Sequence, residues 1–298
     1  MTGDPYVTDE ATGPAWRLML GDSCERLTEL PSDSVGLSVY SPPFDSLYTY
    51  SPSLRDLGNS ASRAEFLEHY GSVIAENLRV TQPGRNACVH VQQLTLTKAI
   101  HGHMGTTDFR GDVIRAYTRA GWIYYGEATV NKDPQAQAIR TKSHALMFVT
   151  KDRDAAMLRP ALADYLLIFK KPGQNQTPVR GDVTNDEWIE WAQPVWWNIR
   201  ETNTLNARVA REDADERHIA PLQLDFIERC VRLWSNRGET VLSPFAGIGS
   251  EVWVAVKLGR RGIGIELKPS YWRTAVTNLQ ALDTEMAQDT LFGEGHDA

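Results

Sequence analysis

The sequence predicts an α/β protein: a mostly parallel sheet flanked by helices, with an antiparallel edge hairpin and an inserted region. Three observations carry this expectation. Short apolar, β-branched runs alternate with segments of helical periodicity over much of the chain. In "VLSPFAGIGSEVWVAVKLG", a strand passes through a glycine turn straight into a helix. In "SVGLSVYSPPF", a strand-like run is stopped by a hydroxyl, two rigid rings and an aromatic.

Taken in order, "WRLML" and "SVGLSVY" read as buried strands, and the spacing of Phe66, Leu67, Tyr70, Val73, Ile74 and Leu78 predicts a helix from Arg63 to Val80. "QPGR" stops it. "NACVHV" is the next strand, and a helix follows near Asp108 to Ala120. Two β-rich runs, "WIYYGEATV" and "HALMFVT", are close enough to pair as the hairpin. From Asp152 to about Glu216 the periodicity weakens and Trp188, Trp191, Trp196 and Trp197 crowd together, which marks an insert. A helix from Pro221 to Trp234 leads into strand, glycine turn, helix, strand "GIGIEL" and a last helix. The expected organisation is therefore 15–151 and 217–282 as two halves of one sheet, 152–216 as the insert, and 1–14 and 283–298 as flexible tails.

Composition narrows the class. With 298 residues and 42% hydrophobic content, the chain can bury one large core or two modest ones. No apolar segment approaches the roughly 20 residues of a membrane span, and "MTGDPYVTDEATGP" lacks the layout of a secretory signal, so an intracellular protein is expected. Cys24, Cys88 and Cys230 form no zinc pattern and read as reduced core residues, and no metal is expected. A net charge of -7 argues against nonspecific coating of nucleic acid.

Gly247 and Gly249 let the backbone turn tightly and approach a ligand, while the free amides of the following helix favour an anionic group. Glu266 ends the next strand at about the distance where an acid accepts hydrogen bonds from a ribose. Val252 stands where a dinucleotide fold wants a third glycine, and no Gly-Lys-Ser/Thr follows. A smaller nucleoside bearing a carboxylate, such as S-adenosylmethionine, fits better. An ordinary turn with a surface acid is the competing reading.

The run Ser41-Pro42-Pro43-Phe44 places a hydroxyl, a carbonyl on a backbone fixed by proline and an aromatic face at the carboxyl edge of the sheet, where ligands bind. The Ser41 oxygen and the Pro42 carbonyl can both accept from one amino group, and Phe44 can stack on the ring that bears it. Two such acceptors would localise the lone pair of an exocyclic nucleobase amine and aim it at a sulfonium methyl. Attack through a ring carbon would need a thiolate, and no cysteine lies in a Pro-Cys turn.

Together these blocks resemble the amino-group DNA methyltransferases, in the permuted order with the target-amine motif first. "SPPF" resembles the family's (Asp/Asn/Ser)-Pro-Pro-aromatic motif, and "SPFAGIGS" from Ser243 to Ser250 its Asp-Pro-Phe-x-Gly-x-Gly loop. "LMLGDSCERLTELPSDSV" looks like its opening strand, with Asp22 near the cofactor adenine. "ENLRVTQPGR" and "DERHIAPLQLDFIERCVRLWS" resemble two of its helices.

The resemblance implies a Rossmann-like methyltransferase sheet and S-adenosylmethionine. Ser41, Pro42, Pro43 and Phe44 would form the amine site, and Asp22, Phe245, Ala246, Gly247, Gly249, Ser250 and Glu266 the cofactor site. It also implies double-stranded DNA with a flipped target base, a bacterial or phage host, and allows for a homodimer and a cognate restriction nuclease. Serine at the first motif position leans towards cytosine N4, with adenine N6 as the main alternative. Ser243 departs from the family's aspartate.

Between Arg140 and Arg180, eight basic residues (Arg140, Lys142, Lys151, Arg153, Arg159, Lys170, Lys171, Arg180) face three acids (Asp152, Asp154, Asp164), an excess that serves phosphate contacts or a solvated face equally well. By analogy this region and the insert would read the target. The four tryptophans favour packing over base stacking. Tyr48 and Tyr50 sit in a candidate closing loop, "DSLYTYSPSLRDLGNS", and His90 reads as a satisfied core histidine. Methylation of RNA or of a protein amide, and a noncatalytic module binding DNA and a nucleoside, remain as other readings.

Overall fold

The computed structural model describes residues 6–44, 57, 60, 62–96, 98–135, 151–157, 159–205 and 221–293. In chain order the strands are β1 (Asp9–Thr12), β2 (Trp16–Leu20), β3 (Val35–Tyr40), β4 (Thr81–Gln92), β5 (Leu94–Leu96), β6 (Gly105–Thr107), β7 (Ile123–Val130), β8 (Asp164–Lys170), β9 (Val195–Trp196), β10 (Thr240–Ser243) and β11 (Arg261–Glu266). The helices are α1 (Ser23–Arg26), α2 (Arg63–Val80), α3 (Lys98–His101), α4 (Phe109–Arg119), α5 (Asn185–Trp191), α6 (Leu224–Trp234), α7 (Ser250–Lys257) and α8 (Pro269–Gly293).

The main sheet runs β1-β2-β11-β10-β3-β4-β8-β7-β9, and β5 and β6 form a separate hairpin. Neighbouring strands from β2 to β4 pair in parallel, as do β7 and β9. Strand β8 is antiparallel to both β4 and β7, and β1 to β2. This is the mostly parallel α/β sheet with an antiparallel hairpin that the sequence predicts.

Alternation along the strands sends side chains to two cores. On one face α2 and α4 bury Phe66, Tyr70, Val73, Ile74, Phe109, Val113 and Tyr117 against Tyr40, Val89 and Leu167. On the other, α6 and α7 cover Leu37, Val39, Cys88 and Leu166, while α8 packs over Leu18. Helix α2 has its predicted bounds because Ser62 caps it, accepting from the Glu65 amide at 3.2 Å. Asp108 caps α4 in the same way through the Gly111 amide at 3.0 Å.

The described residues bear on three expectations. Strand β7 pairs with "DYLLIFK"; "HALMFVT", the expected partner, lies outside the described residues. Strand β8 lies inside the sheet, between β4 and β7, although it falls within the expected insert 152–216, and β9 extends the edge from the same region. A strand covered on both faces loses the clean alternation by which a half-exposed one is recognised. The third point concerns the tails. Residues 9–12 form a β ladder braced by Arg17 on Glu10 at 2.9 and 2.8 Å, and α8 runs on to Gly293 with Asp283 accepting from the Trp16 indole at 2.8 Å.

"QPGR" ends α2, yet it lies inside β4 rather than in a loop. The ladder to β3 is irregular there, and Gly84 takes φ +73°.

Candidate active site

Because β2, β11, β10, β3 and β4 are parallel, their carboxyl ends form one rim. The antiparallel β8 brings its first residue, Asp164, to that rim opposite Gln92. Register decides which loops meet. Val241 pairs with Leu37 and Leu242 with Ser38, so Phe245 and Ser41 follow at the same level on adjacent strands. The rings of Tyr40 and Phe245 lie 5.8 Å apart, between the two motifs. Thus the serine-proline motif and the glycine turn, about two hundred residues apart in sequence, are neighbours.

The glycine turn is built for close approach. Gly247 and Gly249 adopt φ +53° and +87°, and a Cβ on Gly247 would meet nothing within 4 Å. Glu266 ends β11 beside it, accepting from the Gly247 amide at 2.8 Å through Oε2 and from the Lys268 amide at 2.8 Å through Oε1. One strand over, the Gly21 amide donates to the Glu266 carbonyl at 2.9 Å, and Asp22 follows as the cap of α1. The Ser23 hydroxyl donates to the Pro244 carbonyl, tying that corner to the turn. Ser243 and Ser250 are buried, and neither hydroxyl has a partner among the described residues.

The place that Val252 takes from a third glycine is explained on the facing strand. A Cβ on Gly262 would come within 2.6 Å of Val252 Cγ1, and one on Gly264 within 2.9 Å of Cγ2. The glycines that allow close packing of α7 lie on β11 instead of on the helix. Glu251, in the first turn of α7, is buried; burial first and the nearby Glu266 second push its carboxyl up to about 8.

At the other corner Ser41 is half-buried, and its Oγ lies 3.1 Å from His90 Nδ1 and 3.4 Å from the His90 carbonyl. His90 Nε2 is 2.8 Å from Asp164 Oδ2, which Lys132 Nζ also approaches to 2.7 Å. Burial alone would push the Asp164 carboxyl up, but His90 and Lys132 outweigh it and hold the group below its ordinary value. Phe44 stands over this chain, its ring 6.1 Å from His90 and edge-on to Phe109 at 6.0 Å.

His90 is buried and hydrogen-bonded, as expected of a satisfied core histidine, but its contact with Ser41 is one the sequence did not reveal. Its partners lie far away in the chain, and only the short spacing from "CVH" to the strand end could have hinted at a rim position. Pro42 is buried, while Pro43 and Phe44 are half-buried.

No thiol is available as a nucleophile at this rim. Burial pushes Cys24 up to about 12 and raises Cys230 as well, and Cys88 is buried. Lys170 and Lys171 fall at the opposite edge of the sheet, where Lys171 holds Asp33 at 2.7 Å, so they are not site cations. Arg140 and Lys142, like Tyr48 and Tyr50, lie outside the described residues. Of the four tryptophans, Trp196 is core and Trp191 lies under Arg229 and Arg232, whereas Trp188 and Trp197 are exposed.

A DNA methylase family profile of the N6/N4 type matches residues 35–277. The chain is 28% identical over 166 residues to the type II methyltransferase M.BglI of Bacillus subtilis, covering 56% of this chain and 41% of that one. It is 22% identical over 285 residues to the type II methyltransferase M.MjaI of Methanocaldococcus jannaschii, covering 85% and 88%. In structure it is similar to a Thermus thermophilus protein assigned as a DNA modification methylase and solved with S-adenosyl-L-methionine (TM-score 0.67, 23% identity, 88% and 92% covered). It is also similar to the cytosine-N4-specific PvuII DNA methyltransferase (TM-score 0.65, 18% identity, 95% and 94% covered).

Proposed function

The chain belongs to the N6/N4 DNA methylase family, and from that premise we propose that it transfers a methyl group from S-adenosylmethionine to the exocyclic amine of a base flipped out of duplex DNA, cytosine N4 in the first instance. The observation that carries this reading is the register of β3 on β10, which sets Ser41 and the glycine turn side by side.

The residues present suit the cofactor. Open space above Gly247 admits its methionine end, the unpartnered Ser243 and Ser250 hydroxyls offer hydrogen bonds, and the carboxylates of Asp22 and Glu266 accept from hydroxyls or an amine. Phe245, Ala246 and Gly249 shape the wall of that pocket. When bound, the cofactor supplies an electrophilic methyl carbon on sulfur.

The protein's part is orientation. Ser41 Oγ and the Pro42 carbonyl accept the two amine hydrogens, Pro43 fixes the backbone, and Phe44 stacks on the ring. Held so, the nitrogen turns its lone pair towards the neighbouring corner, and positioning replaces covalent catalysis. Serine as the first acceptor supports cytosine N4; the similar PvuII enzyme is named for that specificity.

Digestion of methylated DNA to nucleosides, with the modified base identified by mass, tests the assignment. N4-methylcytosine is expected. N6-methyladenine would move the target while leaving the amine chemistry, and absence of transfer to duplex DNA would end the reading.

A further inference from the structure

We propose that Ser41, His90, Asp164 and Lys132 form a relay that turns the Ser41 lone pairs towards the amine and carries away the proton which the amine loses on methylation. The inference rests on the methyl-transfer reading above and adds the fate of that proton.

A serine hydroxyl has one hydrogen, and if that hydrogen points at the substrate the oxygen cannot hold an amine hydrogen there. The ionised Asp164 only accepts, so the neutral ring of His90 carries its hydrogen on Nε2, 2.8 Å away. Nδ1 is then bare and takes the Ser41 hydrogen across 3.1 Å. Asp164 thus fixes the tautomer, and the tautomer fixes the serine. Lys132, buried and 2.7 Å from the same carboxylate, keeps Asp164 ionised in a site where burial opposes its charge.

The step balances. The amine lone pair forms the N–C bond as the C–S bond breaks, and the electrons of that bond stay on sulfur. The nitrogen then bears one proton too many. It passes to Ser41 Oγ while the serine hydrogen moves to His90 Nδ1, and the imidazolium rests against Asp164 until product departure lets water take the proton.

The groups facing His90 from each packed element are Asp164 at the start of β8, Lys132 just beyond β7, Ser41 and Phe44 after β3, and Phe226 on α6, whose ring is 5.3 Å away, with the buried Cys230 one turn further on. Among the described residues, Asp164 and Lys132 are the charged ones.

His90 acts through Ser41 and is a positioning residue. The test measures single-turnover transfer of tritiated methyl to long unmodified duplex DNA, with cofactor affinity read by calorimetry. His90→Gln keeps polar atoms but cannot accept a proton. It is expected to lower the rate constant about 10- to 100-fold, with cofactor affinity unchanged.

Asp164→Asn, which leaves the ring free to adopt the wrong tautomer, is expected to slow transfer likewise. Ser41→Ala combined with His90→Gln is expected to be no slower than Ser41→Ala alone, because the two act as a unit.

A Gln variant with the wild-type rate, or losses that multiply in the double variant, would overturn the relay while methyl transfer stands. If the wild-type protein transfers no methyl to DNA, the reading beneath it fails and the relay falls with it.

Discussion

In the proposed function Ser41 is one of two acceptors for the amine, and its loss should be felt in the transition state rather than in cofactor binding. Ser41→Ala is expected to lower single-turnover methyl transfer by about 100-fold with cofactor affinity intact, the magnitude typical of one preorganised hydrogen-bonding partner. Glu266 makes the opposite separation. It accepts from the Gly247 amide at 2.8 Å, so Glu266→Gln should weaken cofactor affinity by about tenfold, read by calorimetry, with a smaller effect on the rate once the cofactor saturates. Residues of this kind are legible in sequence because each sits within a contiguous motif. His90 is not, since its role is set by a serine after β3 and an acid that the chain supplies only at β8. A histidine reads as ordinary core until those partners are placed.

At the scale of elements, close packing of α7 on β11 depends on glycine in the strand. A Cβ on Gly264 would lie 2.7 Å from Leu18 Cδ2 and 2.8 Å from the Ala246 Cβ. Gly264→Ala is therefore expected to cost about 1–3 kcal/mol, read as a lower midpoint in urea at unchanged slope.

The first turn of α7 also makes stability depend on pH. Glu251 has a folded value near 8, well above its ordinary 4.5, so the native state holds a proton that the unfolded state releases between those limits. Its contribution is fully present below about 4.5 and is lost as pH rises through about 8. Thermal melts should fall over that interval, and Glu251→Gln should flatten the decline. Helices α2 and α4 were legible because each carries a cap and a periodic face. Strand β8 was not, because burial on both faces removes the alternation, and "HALMFVT" offers an apolar run of equal length nearby.

For the molecule as a whole, the α/β class and the meeting of the two motifs at one rim could be read from strand ends alone, since parallel strands put all their carboxyl ends on one side. Strand order could not, because it is fixed by pairings between distant segments. That order has a bearing on biosynthesis. β2 and β3 follow one another in the chain, yet β11 and β10 lie between them in the sheet. As the chain leaves the ribosome, the flanking strands are made first and the two central ones last, so the nascent protein carries an open slot with two unpaired edges until its final quarter emerges. Such late, long-range insertion is slow, and exposed edges invite intermolecular pairing. A chain ending before Thr240 should show no cooperative melt by circular dichroism, and rapid production should favour inclusion bodies over native enzyme.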